Sequence, residues 1–70
     1  MIADLCNKIL EEPRAIDIKT LIEEVKRVGI KDITLEETMA LVKVADDPTV
    51  LEEYADLIDE LKVTLIKLIP

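Results

Sequence analysis

The chain has 70 residues, one cysteine, no histidine and a formal net charge of −7. That length allows one domain at most, and a chain this size buries only about 60% of its unfolded surface, so its stability calls for a disulfide, a metal, a partner chain or unusually good helix packing. A lone cysteine excludes a disulfide within the chain, the missing histidines and single thiol argue against a metal site, nothing in the residues argues for a cofactor, and the excess of acids disfavours direct nucleic-acid binding, where Lys and Arg must neutralise phosphates.

Helical punctuation and period divide the chain into four helices. The first covers residues 2–12, with Ile2, Leu5, Cys6, Ile9 and Leu10 on one face, and Pro13 stops it. Cys6 shares that apolar face, so it is expected to be buried and inert. Asp17 fits an N-cap for the second helix, residues 18–28, which carries Ile18, Leu21, Ile22, Val25 and Val28 at helical spacing. Gly29, the sole glycine, stands where a C-terminal cap belongs.

Thr34 and Glu37 have the spacing of a capping box, which opens a third helix over residues 35–45. Leu35, Met39, Val42 and Ala45 mark its expected inner face. Asp46-Asp47-Pro48 ends it and starts the fourth, with Asp47 as cap and Pro48 in the first turn.

The fourth helix, residues 48–69, carries the strongest pattern. Leu51, Tyr54, Ile58, Leu61, Leu65 and Leu68 recur in steps of 3, 4, 3, 4 and 3, the heptad seam of a helix that packs along another. Val63, Ile66 and Ile69 widen the apolar face after Lys62. The other helices would be roughly 16 Å long and this one about 33 Å, so short helices lying side by side would leave part of it bare. A strand over residues 63–69 is the alternative, because β-branched residues are frequent there. The adjacent pair Leu65-Ile66 breaks strand alternation, and Glu53, Asp56, Glu60, Thr64 and Lys67 keep a helical step, so helix is favoured. The fold class is therefore all-α: a small four-helix domain with an extended amphipathic C-terminal helix.

The charge is uneven. Residues 1–35 carry seven acids and six bases, whereas residues 36–70 carry nine acids and three bases. Glu52, Glu53, Asp56, Asp59 and Glu60 crowd five carboxylates into the fourth helix, and Glu52, Asp56 and Glu60 stand four apart on one face. Like charges at that spacing cost an isolated helix a few tenths of a kcal/mol per pair. The row is either a solvated face, paired with Lys19, Lys26, Arg27 and Lys31 of the second helix, or a docking surface for a basic protein.

Catalytic constellations are not legible. General acid–base work most often uses histidine, a Cys nucleophile needs an activating base, and a phosphate cradle needs a glycine-rich loop. Asp46-Asp47-Pro48 lacks the alternating oxygen ligands and central glycine of a calcium loop. No segment reaches the about 20 apolar residues of a membrane span, and the N-terminus lacks the basic and apolar regions of a signal peptide. A single cysteine fits a reducing cytosol. Few amides with many Glu, Lys and Ile residues is the pattern of proteins from hot environments, and ordinary bias in a small helical protein gives the same composition.

One stretch has a family likeness. Ile33-Thr34-Leu35-Glu36-Glu37-Thr38-Met39-Ala40-Leu41, followed by Asp46-Asp47 and Leu51-Glu52-Glu53-Tyr54-Ala55-Asp56, resembles the helical lead-in before the barrel of biotin-synthase-like radical enzymes. The cluster-binding cysteines of that family are missing here, so the resemblance carries over none of its activity.

These readings converge on a non-enzymatic interaction module that binds protein. It is expected to form a homo-oligomer through Leu61, Leu65, Ile66, Leu68 and Ile69 of the last helix. The rival expectation is an acidic regulator or inhibitor, antitoxin-like or mimicking nucleic acid, that docks on a basic groove through Glu52, Glu53, Asp56, Asp59 and Glu60.

Overall fold

The computed structural model describes residues 1–68, without the side chains of Ile30 and Leu68. Among the described residues the structure is all-α. α1 spans Ile2–Glu11, α2 Ala15–Val28, α3 Leu35–Asp46 and α4 Pro48–Leu68, with a single 3-10 turn at Ile30–Asp32. The segment 63–68 is helical, which removes the strand alternative as far as Leu68; Ile69 lies outside the described residues.

The start of α2 differs from expectation. Arg14, extended at φ −136° and ψ 139°, is the flanking residue, and Asp17 sits inside the first turn. There its carboxylate accepts a hydrogen bond from Arg14 Nε at 2.9 Å and faces Lys8 Nζ of α1 at 3.7 Å. Pro13 ends α1, and an acid in the first turn suits the amide-rich end of a helix, so the new helix opens at once rather than waiting for Asp17 to cap it.

The other boundaries follow the sequence. Gly29 closes α2 at φ 80° and ψ 150°, a conformation restricted to glycine, and its N–H donates to the Val25 carbonyl at 3.0 Å. At α3 the capping box is complete. Glu37 N–H donates to Thr34 Oγ1 and Thr34 N–H to Glu37 Oε1, each at 3.1 Å. Asp47 Oδ1 accepts from Val50 N–H at 3.1 Å, and Pro48 occupies the first position of α4.

α2 and α3 each pack against both α1 and α4. The core they enclose holds Ile2, Cys6 and Ile9 from α1 and Ile18, Leu21, Ile22 and Val25 from α2. Leu41, Val44 and Ala45 come from α3, and Val50, Ile58 and Leu61 from α4. Leu5, Leu10, Val28, Ile33, Leu51, Tyr54, Leu57 and Leu65 pack around its rim. Burying one aliphatic side chain contributes about 1.5–3 kcal/mol, so these residues supply the main stabilising term.

Two further expectations are corrected. First, α3 is rotated. Ala45 points inward as expected, together with Leu41 and Val44, while Leu35, Met39 and Val42, also read as inner, are exposed. Second, α4 is not one straight rod. Tyr54 has non-helical angles, φ −133° and ψ 41°, and breaks the helix. A straight helix of that length would measure about 31 Å, as long as the 30 Å greatest extent of the whole molecule. With the break, the heptad seam lies on the chain's own core from Leu51 to Leu65. Short helices do cover it. The Tyr54 hydroxyl donates to the Pro13 carbonyl at 3.3 Å, tying the break to the α1–α2 link.

Candidate interaction surfaces

The packing sorts the apolar side chains into those spent on the core and those left outside. Leu61 is fully buried and belongs to the core, so it offers nothing to a partner. Leu65 is half-buried against the core. Ile66 is 69% exposed and its neighbour Val63 is 48% exposed. Leu68 and Ile69, the remaining members of the expected apolar contact, have side chains outside the described residues. Thr64 is buried, and its hydroxyl donates to the Glu60 carbonyl at 2.8 Å, which satisfies it inside the helix.

Val63 lines an open groove between α2 and α4, together with Lys26, Asp59, Glu60, Thr64 and Lys67. The floor is aliphatic and the rim carries both signs of charge.

A second apolar surface lies on α3. Leu35 is 77% exposed, Met39 57% and Val42 51%, at steps of four and three residues along one face. Glu36, Met39, Ala40 and Lys43 also line a shallow groove against Ala3, Asn7 and Leu10 of α1. Helical period alone does not reveal this surface, because α3 is apolar on two sides. The competing stripe Leu41, Val44 and Ala45 carries the same spacing signal, and the helix buries that one.

The acidic row is exposed throughout: Glu52, Glu53, Asp56, Asp59 and Glu60 all face solvent. Of the expected partners, Lys19, Lys26 and Arg27 on α2 and Lys31 in the 3-10 turn, only Lys26 reaches it, at 3.9 Å from Glu60. Arg27 pairs within its own helix instead, its guanidinium holding Glu24 at 2.7 Å and lowering that carboxyl below its ordinary range. Lys19 and Lys31 form no ion pair among the described residues.

Cys6 is wholly buried, and burial, with a smaller contribution from the Glu37 charge, pushes its thiol up to about 11. A thiol so placed stays protonated and is a poor nucleophile. Among the described residues no group of His, Cys, Asp or Glu is arranged to hold a metal, and no helix is long and apolar enough to cross a membrane. Compared with protein-family models, curated proteins and solved structures, the chain matches none.

Proposed function

We propose that this chain is a small protein–protein interaction module, not an enzyme, and that it self-associates. The observation that carries the reading is apolar surface left outside the core in helical register: Leu35, Met39 and Val42 on α3, with Val63 and Ile66 on the last turns of α4. Single exposed hydrophobic residues are ordinary, but a stripe along one helix is a contact surface. Covering it returns about 25 cal/mol per Å² of apolar area removed from water. On α4 the contribution falls to Val63 and Ile66, since Leu61 already serves the core. A reducing cytosol suits the lone buried thiol.

The test is the concentration dependence of mass by sedimentation. Wild type should shift from monomer towards a larger species over the micromolar range. Val63→Lys combined with Ile66→Lys should weaken association if α4 takes part, without unfolding the domain. A monomer at every concentration would end the self-association reading.

A second reading has its own support in the exposed acids of α4. Glu52, Glu53, Asp56 and Asp59 make no ion pair among the described residues. Such a row can steer a basic protein into contact at rates that fall with salt, as an antitoxin-like or nucleic-acid-mimicking regulator would require.

A further inference from the structure

We propose that α3 pairs antiparallel with α3 of a second copy of this chain, with Met39 at the two-fold axis. The inference rests on the interaction-module reading and specifies the partner and the register.

On the outward face of α3, at 3.6 residues per turn, Met39 sits between two pairs of side chains. Leu35 and Val42 lie on one side of it, and Glu36 and Lys43 on the other. The charged side borders α1, since Glu36 and Lys43 line the shallow groove with Ala3, Asn7 and Leu10. Neither Glu36 nor Lys43 forms an ion pair among the described residues. The inward face is occupied by Leu41, Val44 and Ala45, so rotation of α3 within its own domain cannot hide the stripe.

Two-fold antiparallel packing reverses the helix direction and keeps each flank on its own side. A residue a few positions before Met39 then meets one the same distance after it. Glu36 is three before and Lys43 four after, so Glu36 falls within about 1.5 Å, along the axis, of the partner's Lys43. Leu35 is four before and Val42 three after, so those two meet on the opposite flank. Met39 meets its own copy, and a flexible thioether tolerates self-contact. Symmetry repeats each contact, giving two acid–base pairs and two apolar pairs from one short stripe. Parallel two-fold pairing would swap the flanks, setting Glu36 against Leu35 and Lys43 against Val42 of the second copy and leaving both charges without a partner. The charges therefore choose the second copy and its direction, and the apolar side chains supply the contact area.

Charge exchange tests the register in the full-length chain. Glu36→Lys alone and Lys43→Glu alone each place like charges in contact twice, and each should weaken the dimer roughly tenfold. The double variant E36K/K43E should recover wild-type dimerisation. Both positions lie on the surface side of α3, and helical circular dichroism checks that the fold is kept. A second readout does not depend on charge. Met39→Cys should form a disulfide-linked dimer in mild oxidant much faster than Val63→Cys does, with buried Cys6 as the silent background. Equal dimerisation of wild type and both single variants overturns the register. If that dimer is instead lost in the Val63→Lys, Ile66→Lys variant, α4 is the face and the self-association reading stands. A wild type that stays monomeric overturns both. Should a charge variant fail to fold, the cysteine comparison decides alone, and equal cross-linking at the two positions overturns the proposal.

Discussion

Asp17 shows how much one side chain does in a chain with so little polar machinery. Its carboxylate joins three pieces of structure: α2, to which it belongs, Arg14 in the link, and Lys8 on α1. The hydrogen bond from Arg14 lowers its pKa from the ordinary 3.8; burial opposes this, and the charges of Arg14 and Lys8 add to the lowering. The sign of the linkage follows. A carboxyl whose folded pKa lies below its unfolded value stabilises the fold above the unfolded pKa, and that stability is lost as pH falls through the folded one. Asp17→Asn should therefore lower the melting temperature at neutral pH. The gap between variant and wild type should close as pH drops below the ordinary 3.8. Thermal melts by circular dichroism across that range would check it, and a constant gap down to strong acid would mean that shape at Asp17, not charge, matters. The sequence marked Asp17 as special but in the wrong role, because an N-cap and a first-turn acid look alike until the neighbouring Arg14 is placed.

At the scale of the helices, legibility tracked how many faces were apolar. α1 and α2 each have one apolar stripe, so Cys6, Ile9, Leu21 and Val25 were readable as core, and they are buried. α3 has two, and local spacing cannot choose between Leu35-Met39-Val42 and Leu41-Val44-Ala45. That choice is made by which residues fit against α1 and α4, a tertiary decision. In α4 the heptad seam was legible but its cover was not, because no proline or glycine marks the break at Tyr54. The bond from its hydroxyl to Pro13 is a long-range contact that no local pattern announces. The consequence can be measured at two aliphatic positions of the same helix. Leu61→Ala removes a fully buried side chain and should cost about 2–5 kcal/mol in urea unfolding. Ile66→Ala removes an exposed one and should stay within about 0.5 kcal/mol. A similar loss at both would mean that Ile66 is covered, as in a dimer already formed at the concentration used, and dilution would then separate the two cases. The same logic bears on removal of residues 63–70. Thr64 and Leu65 pack inward, so that deletion cuts into the domain instead of trimming a free tail.

For the whole molecule, association must overcome charge. Each copy carries a net −7, and two copies brought together repel over the distance that salt leaves unscreened. Changing Glu52, Asp56 and Glu60 to Gln removes three of those charges at nearly constant shape. Within one chain the balance is small: repulsion along the i, i+4 row is relieved by a few tenths of a kcal/mol per pair, while the Lys26–Glu60 contact, at 3.9 Å and exposed on both sides, is lost. Stability should therefore shift by less than about 1 kcal/mol. Between chains the effect has a definite sign. At low ionic strength the triple variant should dimerise more tightly than wild type. At about 1 M salt, where the screening length is about 3 Å, the two should converge. Sedimentation at the two salt concentrations reads both quantities against the same fold. A variant that unfolds would show that the row is anchored more firmly than the single Lys26 contact accounts for. A variant that dimerises like wild type at low salt would place the acids far from the contact. They would then be free to meet a basic partner while the apolar stripe is occupied, and the two surfaces would be independent.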